Sequence, residues 1–286
     1  MLGKKIYYWL LRPLVHSRNR TTEEDLNRQA RSLPFNPEAA QERLARLISR
    51  FGGNLRIQPN LAYLDVGCGL GDLTLALVQA GALDVTGIDL MGRNIQAARI
   101  AAEQQQGSST TMFIQGDIRS WEPHRRFDVI ISNEALEHID APDRFIRSLV
   151  RLLKPDGRAF LAFGPLFHSP FGDHLWGFFR LQIPWRGILF SQEALLRLRQ
   201  EFFRPGDGVS RFQDVAGGLN LMRYSDFIRY VTEAGLEFEF LSINPQAKQI
   251  WPASVISRAL VKLPWVRDYF AMSVYATLKR STPHGE

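Results

Sequence analysis

The chain has 286 residues, of which 45% are hydrophobic and 22% charged, a composition that indicates a folded globular protein and excludes a disordered one. The net charge of +6 comes from residues 1–60, which carry 11 Lys or Arg against 5 Asp or Glu and leave 24 of each sign in the remainder. The basic charge therefore gives no reason to expect a nucleic-acid partner. The single cysteine, Cys68, excludes an internal disulfide and fits a reducing, cytoplasmic setting.

The first distinctive segment, residues 4–15, is basic, aromatic and apolar. Its apolar run is interrupted by an arginine and a proline, and no small-residue cleavage site follows, so it is unlike a signal peptide. No run of about 20 apolar residues occurs in the chain, so no transmembrane helix is expected. Two interpretations stay open: a helix packed over the substrate mouth, and a peripheral contact with a membrane surface. Further on, Asn36 and Pro37 predict the start of a helix that ends near Phe51.

The stretch 61–78 predicts a buried strand, a glycine turn and a helix, in that order. Its strand ends with an acid, Asp65, and the helix that follows has an apolar face. Glycines in such a turn let backbone N–H groups approach a ligand closely, and the helix N-terminus adds the positive end of a dipole. The stretch is therefore typical of a nucleotide-type ligand site, with three glycines at alternate positions: Gly67, Gly69 and Gly71.

Two further predicted strands also end in an acid. Asp89 closes the strand 84–89, and Asp117 closes the strand 111–117. An acid at the tip of the second strand is placed to hold a ribose diol through two charge-assisted hydrogen bonds.

These motifs resemble those of the class I S-adenosylmethionine-dependent methyltransferase family. The acid two residues before the first glycine distinguishes the pattern from the dinucleotide-binding one. The resemblance covers residues 55–165 well and 221–280 loosely. The matching residues are Asp65-x-Gly67-x-Gly69-x-Gly71, Ile88-Asp89 and Gly116-Asp117-Ile118.

The resemblance implies S-adenosyl-L-methionine as the cofactor. It places the glycine turn near the methionine part, Asp89 on the ribose, and Asp117 on the amino edge of the adenine. The residues that it assigns to the cofactor are Asp65, Gly67, Cys68, Gly69, Gly71, Asp89, Leu90, Met91, Asp117, Ile118 and Asn133.

The fold class that follows is α/β: a Rossmann-like, seven-stranded, mostly parallel sheet with helices on both faces and an antiparallel last strand. Between a strand at 127–132 and one at 158–163 we expect a helix at 141–154 and a turn at 154–157; the final strands are expected at 236–243 and 270–278. We expect one methyltransferase domain, 1–286, made of a helical N-terminal arm (1–54), a cofactor-binding core (55–164), an aromatic cap insertion (165–220) and the C-terminal part of the core (221–280).

Two polar clusters are candidates for catalysis. His138 follows the fourth strand and could accept a proton from a hydroxyl acceptor, or line the pocket while Glu137 orients it. His168, Asp173 and His174 follow the fifth strand, near the carboxyl edge of the sheet. These three could contact the substrate, act as a base, or belong to a plain structured loop. Their spacing matches no strong zinc pattern, so no metal is predicted.

The acceptor is narrowed by what the chain lacks. Residues 133–136 depart from the proline-containing motif of methyltransferases that act on nucleic-acid bases, and the glutamate pair of protein-arginine methyltransferases is missing. A small molecule remains, and the aromatic cap, with Trp176 and the interleaved Arg180 and Arg186, favours an apolar or lipid-like one methylated at oxygen. Two rivals stay open: a non-catalytic cofactor- or membrane-binding protein that kept the fold, and a dinucleotide-dependent oxidoreductase.

Overall fold

The computed structural model describes residues 2–16, 25, 28, 35–105, 110–175, 177–205, 208, 210–215, 218–244 and 259–281; Trp176 lies outside them. The strands are β1 (Ala62–Val66), β2 (Asp84–Asp89), β3 (Thr110–Gln115), β4 (Phe127–Asn133), β5 (Leu153–Phe163), β6 (Leu236–Ile243) and β7 (Val274–Arg280). The helices are α1 (Leu2–Leu11), α2 (Pro37–Arg50), α3 (Asp72–Gln79), α4 (Gly92–Glu103), α5 (Pro142–Leu152), α6 (Arg186–Leu189), α7 (Gln192–Phe202), α8 (Tyr224–Glu233) and α9 (Arg267–Phe270).

All seven strands form one sheet in the order β3-β2-β1-β4-β5-β7-β6. Strands β1 to β5 run parallel, and β7 runs antiparallel to both β5 and β6. The predicted fold class, with its antiparallel last strand, is confirmed. Because parallel strands end at one edge, the segments that follow β1, β2, β4 and β5 meet there.

Helices cover both faces of the sheet. Along β1, Tyr63 packs with α2 and α3 on one face, and its neighbour Leu64 packs with α5 and α8 on the other. Because successive side chains of a strand point to opposite faces, such a strand is buried throughout, as the apolar run before Asp65 indicates. At the start of α2, the Asn36 side chain accepts a hydrogen bond of 3.0 Å from the Ala39 N–H, which confirms the predicted helix start.

The turn predicted at 154–157 is wrong as a separate element. Helix α5 ends at Leu152, and β5 begins at once with Leu153 paired to Phe127. The next pair along the ladder is Val129 with Arg158. Residues 154–157 of β5 are therefore accommodated as an irregularity within the strand pairing. The last strand also begins later than predicted, at Val274, because residues Arg267–Phe270 form α9.

A third apolar cluster lies outside the sheet and joins the N-terminal helix to the cap insertion. Tyr8 and Leu11 of α1 are buried against Leu195 and Leu198 of α7. An isolated β-bridge between Val15 and Phe179 continues this junction. The N-terminal segment is therefore packed on the cap.

Among the described helices, none has the length and apolar character needed to cross a lipid bilayer.

Candidate active site

The glycine turn after β1 is packed too closely for side chains at two of its three glycines. Gly67 has a φ of +73°, and a Cβ there would lie 2.5 Å from the Cβ of Ala135, which follows β4. Gly71 has a φ of +88°, and a Cβ there would lie 2.9 Å from that of Ala98 on α4. Gly69, with a φ of +55°, has open space around it. The turn is thus fixed against the core at both ends and open in the middle, where a ligand can approach the backbone.

The carboxylate of Asp89, at the tip of β2, is held by the backbone. It accepts hydrogen bonds from Gly69 N at 2.9 Å and Met91 N at 2.8 Å, and one from the Asn94 side chain at 3.2 Å. A carboxylate offers about four acceptor positions, so roughly one is left for a ligand hydroxyl. Asp89 therefore ties the glycine turn to β2 and keeps its carboxylate at the carboxyl edge.

Asp65, the acid before the turn, is a buried carboxyl group beneath the glycines. Thr74 Oγ1 on α3 donates a hydrogen bond of 2.7 Å to it. Burial raises the pKa of Asp65 to about 7, against the lowering effect of the Thr74 hydrogen bond, and the negative charge of Asp89 adds to the increase. Asp65 therefore titrates near neutral pH, where a cationic ligand group would favour its ionised form.

Asp117, after β3, is engaged by Arg119 of its own loop. The Arg119 guanidinium contacts both carboxylate oxygens, with Nε at 2.9 and 3.0 Å and Nη2 at 2.6 Å. These hydrogen bonds hold the pKa of Asp117 below its usual range. Arg119 also pairs with Asp140, so it links the loop after β3 to the segment before α5.

The neighbouring residues fit S-adenosyl-L-methionine. Leu90, directly after Asp89, is 62% exposed. An adenine ring packed on it would cover that apolar surface. Ile118 is buried, and Asn133 is half-buried at the tip of β4. Burial raises the pKa of the Cys68 thiol, so the thiol stays protonated and unreactive inside the turn.

The structure brings together two of the four candidate catalytic residues. His138, in a 3₁₀ turn (Leu136–His138) after β4, and His174, in the cap, have ring centroids 5.4 Å apart in an edge-to-face arrangement. His138 is exposed, and its Nδ1 lies 3.3 Å from the Gly218 carbonyl oxygen. His174 is half-buried, and its Nε2 lies 2.9 Å from the Pro165 carbonyl oxygen.

The proton of His174 can be assigned from this contact. A carbonyl oxygen only accepts, so Nε2 carries the hydrogen and Nδ1 carries the lone pair. Burial lowers the pKa of His174, so the ring is neutral at neutral pH. Its backbone has a φ of +52°, a left-handed conformation that histidine adopts uncommonly and that is frequent at functional sites.

The other two candidates have different surroundings. His168 packs between the rings of Phe167 and Tyr269, and burial lowers its pKa. Asp173 forms a buried ion pair with Arg186 of α6, with Nε–Oδ2 at 2.7 Å and Nη2–Oδ1 at 3.0 Å. Both side chains are 2% exposed.

Of the two arginines that interleave with the cap aromatics, Arg186 is buried and does not reach the surface of the protein. The Arg186 guanidinium is enclosed in the cap, paired with Asp173 and stacked over the Phe179 ring at 4.1 Å, whereas Arg180 is exposed. The sequence around Arg186 contains no pattern that predicts its pairing with Asp173, thirteen residues earlier.

The sequence assigns Glu137 only a role in orienting His138, but its position in the structure is central. Its side chain is buried, and Oε1 accepts a hydrogen bond of 3.0 Å from Gly164 N at the end of β5. Oε2 has no hydrogen-bond partner among the described residues. Burial raises the pKa of Glu137 to about 8, so the group is mostly protonated at neutral pH.

Asn220 is a structural residue of the site that no sequence motif indicates. Its side-chain amide donates to the carbonyl oxygens of Leu136 at 2.6 Å and Ile139 at 2.8 Å, and its backbone N–H donates to the Glu137 carbonyl oxygen at 2.9 Å. Asn220 therefore fastens the cap to the histidine-bearing turn. A single asparagine in a loop carries no distinguishing sequence pattern.

Comparisons with known proteins identify the family of the chain. Residues 37–239, well over half of the chain, match the family model described as a methyltransferase domain. The chain is 40% identical over 99 residues to the ubiquinone biosynthesis O-methyltransferase of Coxiella burnetii, covering 35% of this chain and 42% of that protein. It is 32% identical over 120 residues to the mitochondrial ubiquinone biosynthesis O-methyltransferase of Arabidopsis thaliana, covering 42% and 37%. The chain thus spans about two fifths of the length of the curated relatives it matches.

Solved structures share the fold at low sequence identity. An S-adenosylmethionine-dependent methyltransferase from Mesorhizobium loti superimposes with a TM-score of 0.53 at 18% identity, covering 86% of this chain and 100% of that one. One from Clostridium acetobutylicum gives a TM-score of 0.51 at 13% identity, covering 86% and 93%. The resemblance stated from the sequence motifs is confirmed: the chain belongs to the methyltransferase-domain family, as a class I methyltransferase whose cofactor is S-adenosyl-L-methionine.

Proposed function

We propose that this protein transfers a methyl group from S-adenosyl-L-methionine to a hydroxyl oxygen of a small, apolar or lipid-like molecule. The observation that carries the proposal is the contact between His138, in the turn after β4, and His174, in the cap. A hydroxyl is a weak nucleophile until it loses its proton, so a neutral histidine beside the acceptor is what methylation at oxygen requires. The relatives named O-methyltransferases support the choice of oxygen.

The cofactor-binding residues would position the methyl donor and exclude water. When bound, S-adenosyl-L-methionine supplies an electrophilic methyl group on a positively charged sulfur, and the sulfur keeps the electron pair of the broken carbon–sulfur bond as the methyl group is transferred. The glycine turn and Asp65 would hold its methionine part, and Asp89 its ribose. Leu90 and Asp117 would border the adenine. Such positioning lowers the barrier because the acceptor oxygen and the methyl carbon are held in line.

His174 is the base in this proposal. Its Nδ1 takes the proton of the acceptor hydroxyl, while its Nε2–H stays bonded to the Pro165 carbonyl oxygen, which fixes the ring. His138, edge-to-face with His174, borders the acceptor from the side of β4. Asp173 is a positioning residue that acts through Arg186 to hold the loop that carries His174. His168, whose ring packs against Phe167 and Tyr269, would border the acceptor with an imidazole edge.

The test is a set of matched acceptors incubated with methyl-labelled cofactor. A phenol with a long alkyl chain, the same phenol without the chain, and the chain-bearing aniline differ in one feature at a time. We expect label on the oxygen of the alkylated phenol, less on the unsubstituted phenol, and none on the aniline. Equal label on the aniline, or a preference for the phenol without the chain, would overturn the acceptor assignment.

A variant pair tests the base. His174→Asn removes the imidazole but tolerates the left-handed backbone, and we expect the turnover number to fall by about 10²–10⁴-fold with unchanged cofactor affinity. His124→Asn is the matched control, because His124 is exposed beside the start of β4, at the opposite edge of the sheet. Full activity of His174→Asn would remove His174 from the mechanism.

A further inference from the structure

Helix α1 has two apolar faces, and only one of them is covered. Tyr8 and Leu11 are 4% and 1% exposed and pack on α7 of the cap. On the other side, Ile6, Trp9 and Leu10 are 51%, 64% and 58% exposed. These three residues follow the i, i+3, i+4 spacing of one helix face. An apolar face of this size on a surface helix indicates a partner rather than solvent.

The exposed face of α1 continues onto the cap. The Tyr7 ring meets the Phe190 ring edge-to-face, with centroids 5.5 Å apart. Phe190 directly follows α6, where Ile188 and Leu189 are 39% and 56% exposed. We call this surface the α1–α6 face; its exposed apolar residues are Ile6, Trp9, Leu10, Ile188 and Leu189.

A further exposed apolar segment adjoins α6. Trp185 donates a hydrogen bond of 2.9 Å from its indole N–H to the Tyr269 carbonyl oxygen and packs its ring on Phe270. Just before α9, which contains Tyr269 and Phe270, Trp265 is 83% exposed and Leu263 is 45% exposed. Exposed tryptophans are suited to a membrane interface, where an apolar ring and a polar N–H are both accommodated.

The charge beside the face selects its partner. Residues 1–16, which make up α1 and its flanks, contain Lys4, Lys5 and Arg12 and no acidic residue. Arg12 lies over the Trp9 ring at 5.8 Å and pairs with Glu201 of α7, so the positive charge beside the face comes mainly from Lys4, Lys5 and Arg180. Arg180 is exposed, and its backbone N–H donates to the Leu14 carbonyl oxygen just after α1. A second copy of the chain would bring the same basic segment against itself, which costs repulsion. An anionic lipid surface satisfies both the apolar face and the positive charge.

We propose that the α1–α6 face docks on membranes that carry anionic lipids. The position of α6 relates this docking to the acceptor site. Leu189 points to the outside, while Arg186 of the same helix is paired with Asp173, next to His174 in the chain. An apolar molecule held in the bilayer would therefore meet the cap at the element that borders the histidine pair. The docking needs neither cofactor nor acceptor, so it stands or fails separately from the proposed reaction.

The test is cosedimentation of the full chain with vesicles of phosphatidylcholine alone and of phosphatidylcholine with one quarter phosphatidylglycerol. We expect binding to the anionic vesicles that weakens at high salt, and little binding to phosphatidylcholine alone. Replacing Lys4 or Lys5 by Gln is expected to weaken the binding by about fivefold per charge. Equal binding to both vesicle types, or none to either, would overturn the proposal.

Two leucine variants locate the face. Leu10→Glu is expected to lower vesicle binding by about tenfold or more, because it loses apolar burial and adds a negative charge. Leu83→Glu is the matched control: Leu83 is 53% exposed but precedes β2, at the opposite edge of the sheet, and should change binding less than twofold. An equal loss in both variants would contradict the assigned face. Analytical ultracentrifugation without lipid tests whether a second copy of the chain binds this face instead. A dimer that Leu10→Glu converts to a monomer would assign the face to that second copy and overturn the membrane proposal.

Discussion

At the scale of single residues, two buried carboxyl groups have pKa values near or above neutrality. Asp65 lies beneath the glycine turn with a pKa raised to about 7, and Glu137 lies beneath the histidine turn with a pKa raised to about 8. In both cases burial is the largest cause. A protein that keeps two such groups beside its site forgoes some stability, which is frequent where groups must be held ready for a ligand.

Glu137 gives a prediction for stability against pH. Its pKa is about 8 in the folded chain, against 4.5 for an ordinary glutamate. The folded state therefore binds more protons between these values, and stability falls as the pH rises from 4.5 towards 8. We expect Glu137→Gln, which keeps an acceptor for Gly164 N–H, to reduce this fall by roughly 3–5 kcal/mol.

The measurement is urea unfolding at several pH values, in the wild-type chain and in Glu137→Gln. Asp65 titrates in both proteins, so its contribution cancels in the difference between them. Parallel stability curves for the two proteins would show that Glu137 ionises normally in the folded state.

The strand-tip acids give a second prediction, for cofactor affinity. Asp89→Asn removes the charge and one acceptor oxygen from a group that binds Gly69 N–H and Met91 N–H. We expect the dissociation constant of S-adenosyl-L-methionine to rise by about 10–100-fold, since charge-assisted hydrogen bonds contribute about 1.5–3 kcal/mol. Asp117→Asn is expected to have a smaller effect, because Arg119 occupies both oxygens of that carboxylate. Isothermal titration calorimetry gives both constants, and a larger effect for Asp117→Asn would reverse the assignment.

At the scale of elements, polar contacts that the sequence does not predict join the cap to the core and hold the cap together. Asn220, the last residue of the cap, fastens it to the turn that carries His138, and Asp173 pairs with Arg186 inside the cap. The apolar residues of the cap largely form its own core with α1, as its composition allowed. The acceptor site therefore depends on two junctions between segments that are distant in sequence.

The Asp173–Arg186 pair gives a third prediction. Asp173→Asn leaves a buried guanidinium without its counter-charge, and we expect the free energy of unfolding to fall by about 3–5 kcal/mol. The control is Asp214→Asn, which removes the same kind of ion pair from Arg211, where both side chains are exposed to solvent. Thermal and urea unfolding compare the two, and similar losses in both would show that the buried pair has no special role.

The predictable part of the structure is the part set by local pattern. The strand-turn-helix at 61–78 and the acids Asp89 and Asp117 could be placed from sequence, because glycine turns and strand ends repeat in order along a parallel sheet. The irregular start of β5 could not, because it depends on the pairing of Leu153 with Phe127. The burial of Glu137 and the partner of Asp173 also depend on contacts between distant segments.

At the scale of the whole molecule, three parts follow one another outward from the sheet. They are the carboxyl edge with the proposed cofactor residues, the cap, and helix α1 packed on the cap. In the proposed reaction, the turn after β1 and the tip of β2 hold the methyl donor, and the acceptor approaches from the cap, where His138 and His174 meet. Helix α1 packs on the outer side of that cap. The proposed cofactor site and the proposed acceptor site therefore lie on different segments of the chain.

The central claim, base-assisted methylation at oxygen, is tested most directly by the pH dependence of kcat/KM in the wild-type chain and in His174→Asn. A base must be unprotonated, so activity should fall as the pH drops through the pKa of His174, which burial places below the ordinary value of 6.5. The account predicts that this acidic limb is present in the wild-type chain and absent from the residual activity of His174→Asn. The same limb in both proteins, with similar rates, would contradict it.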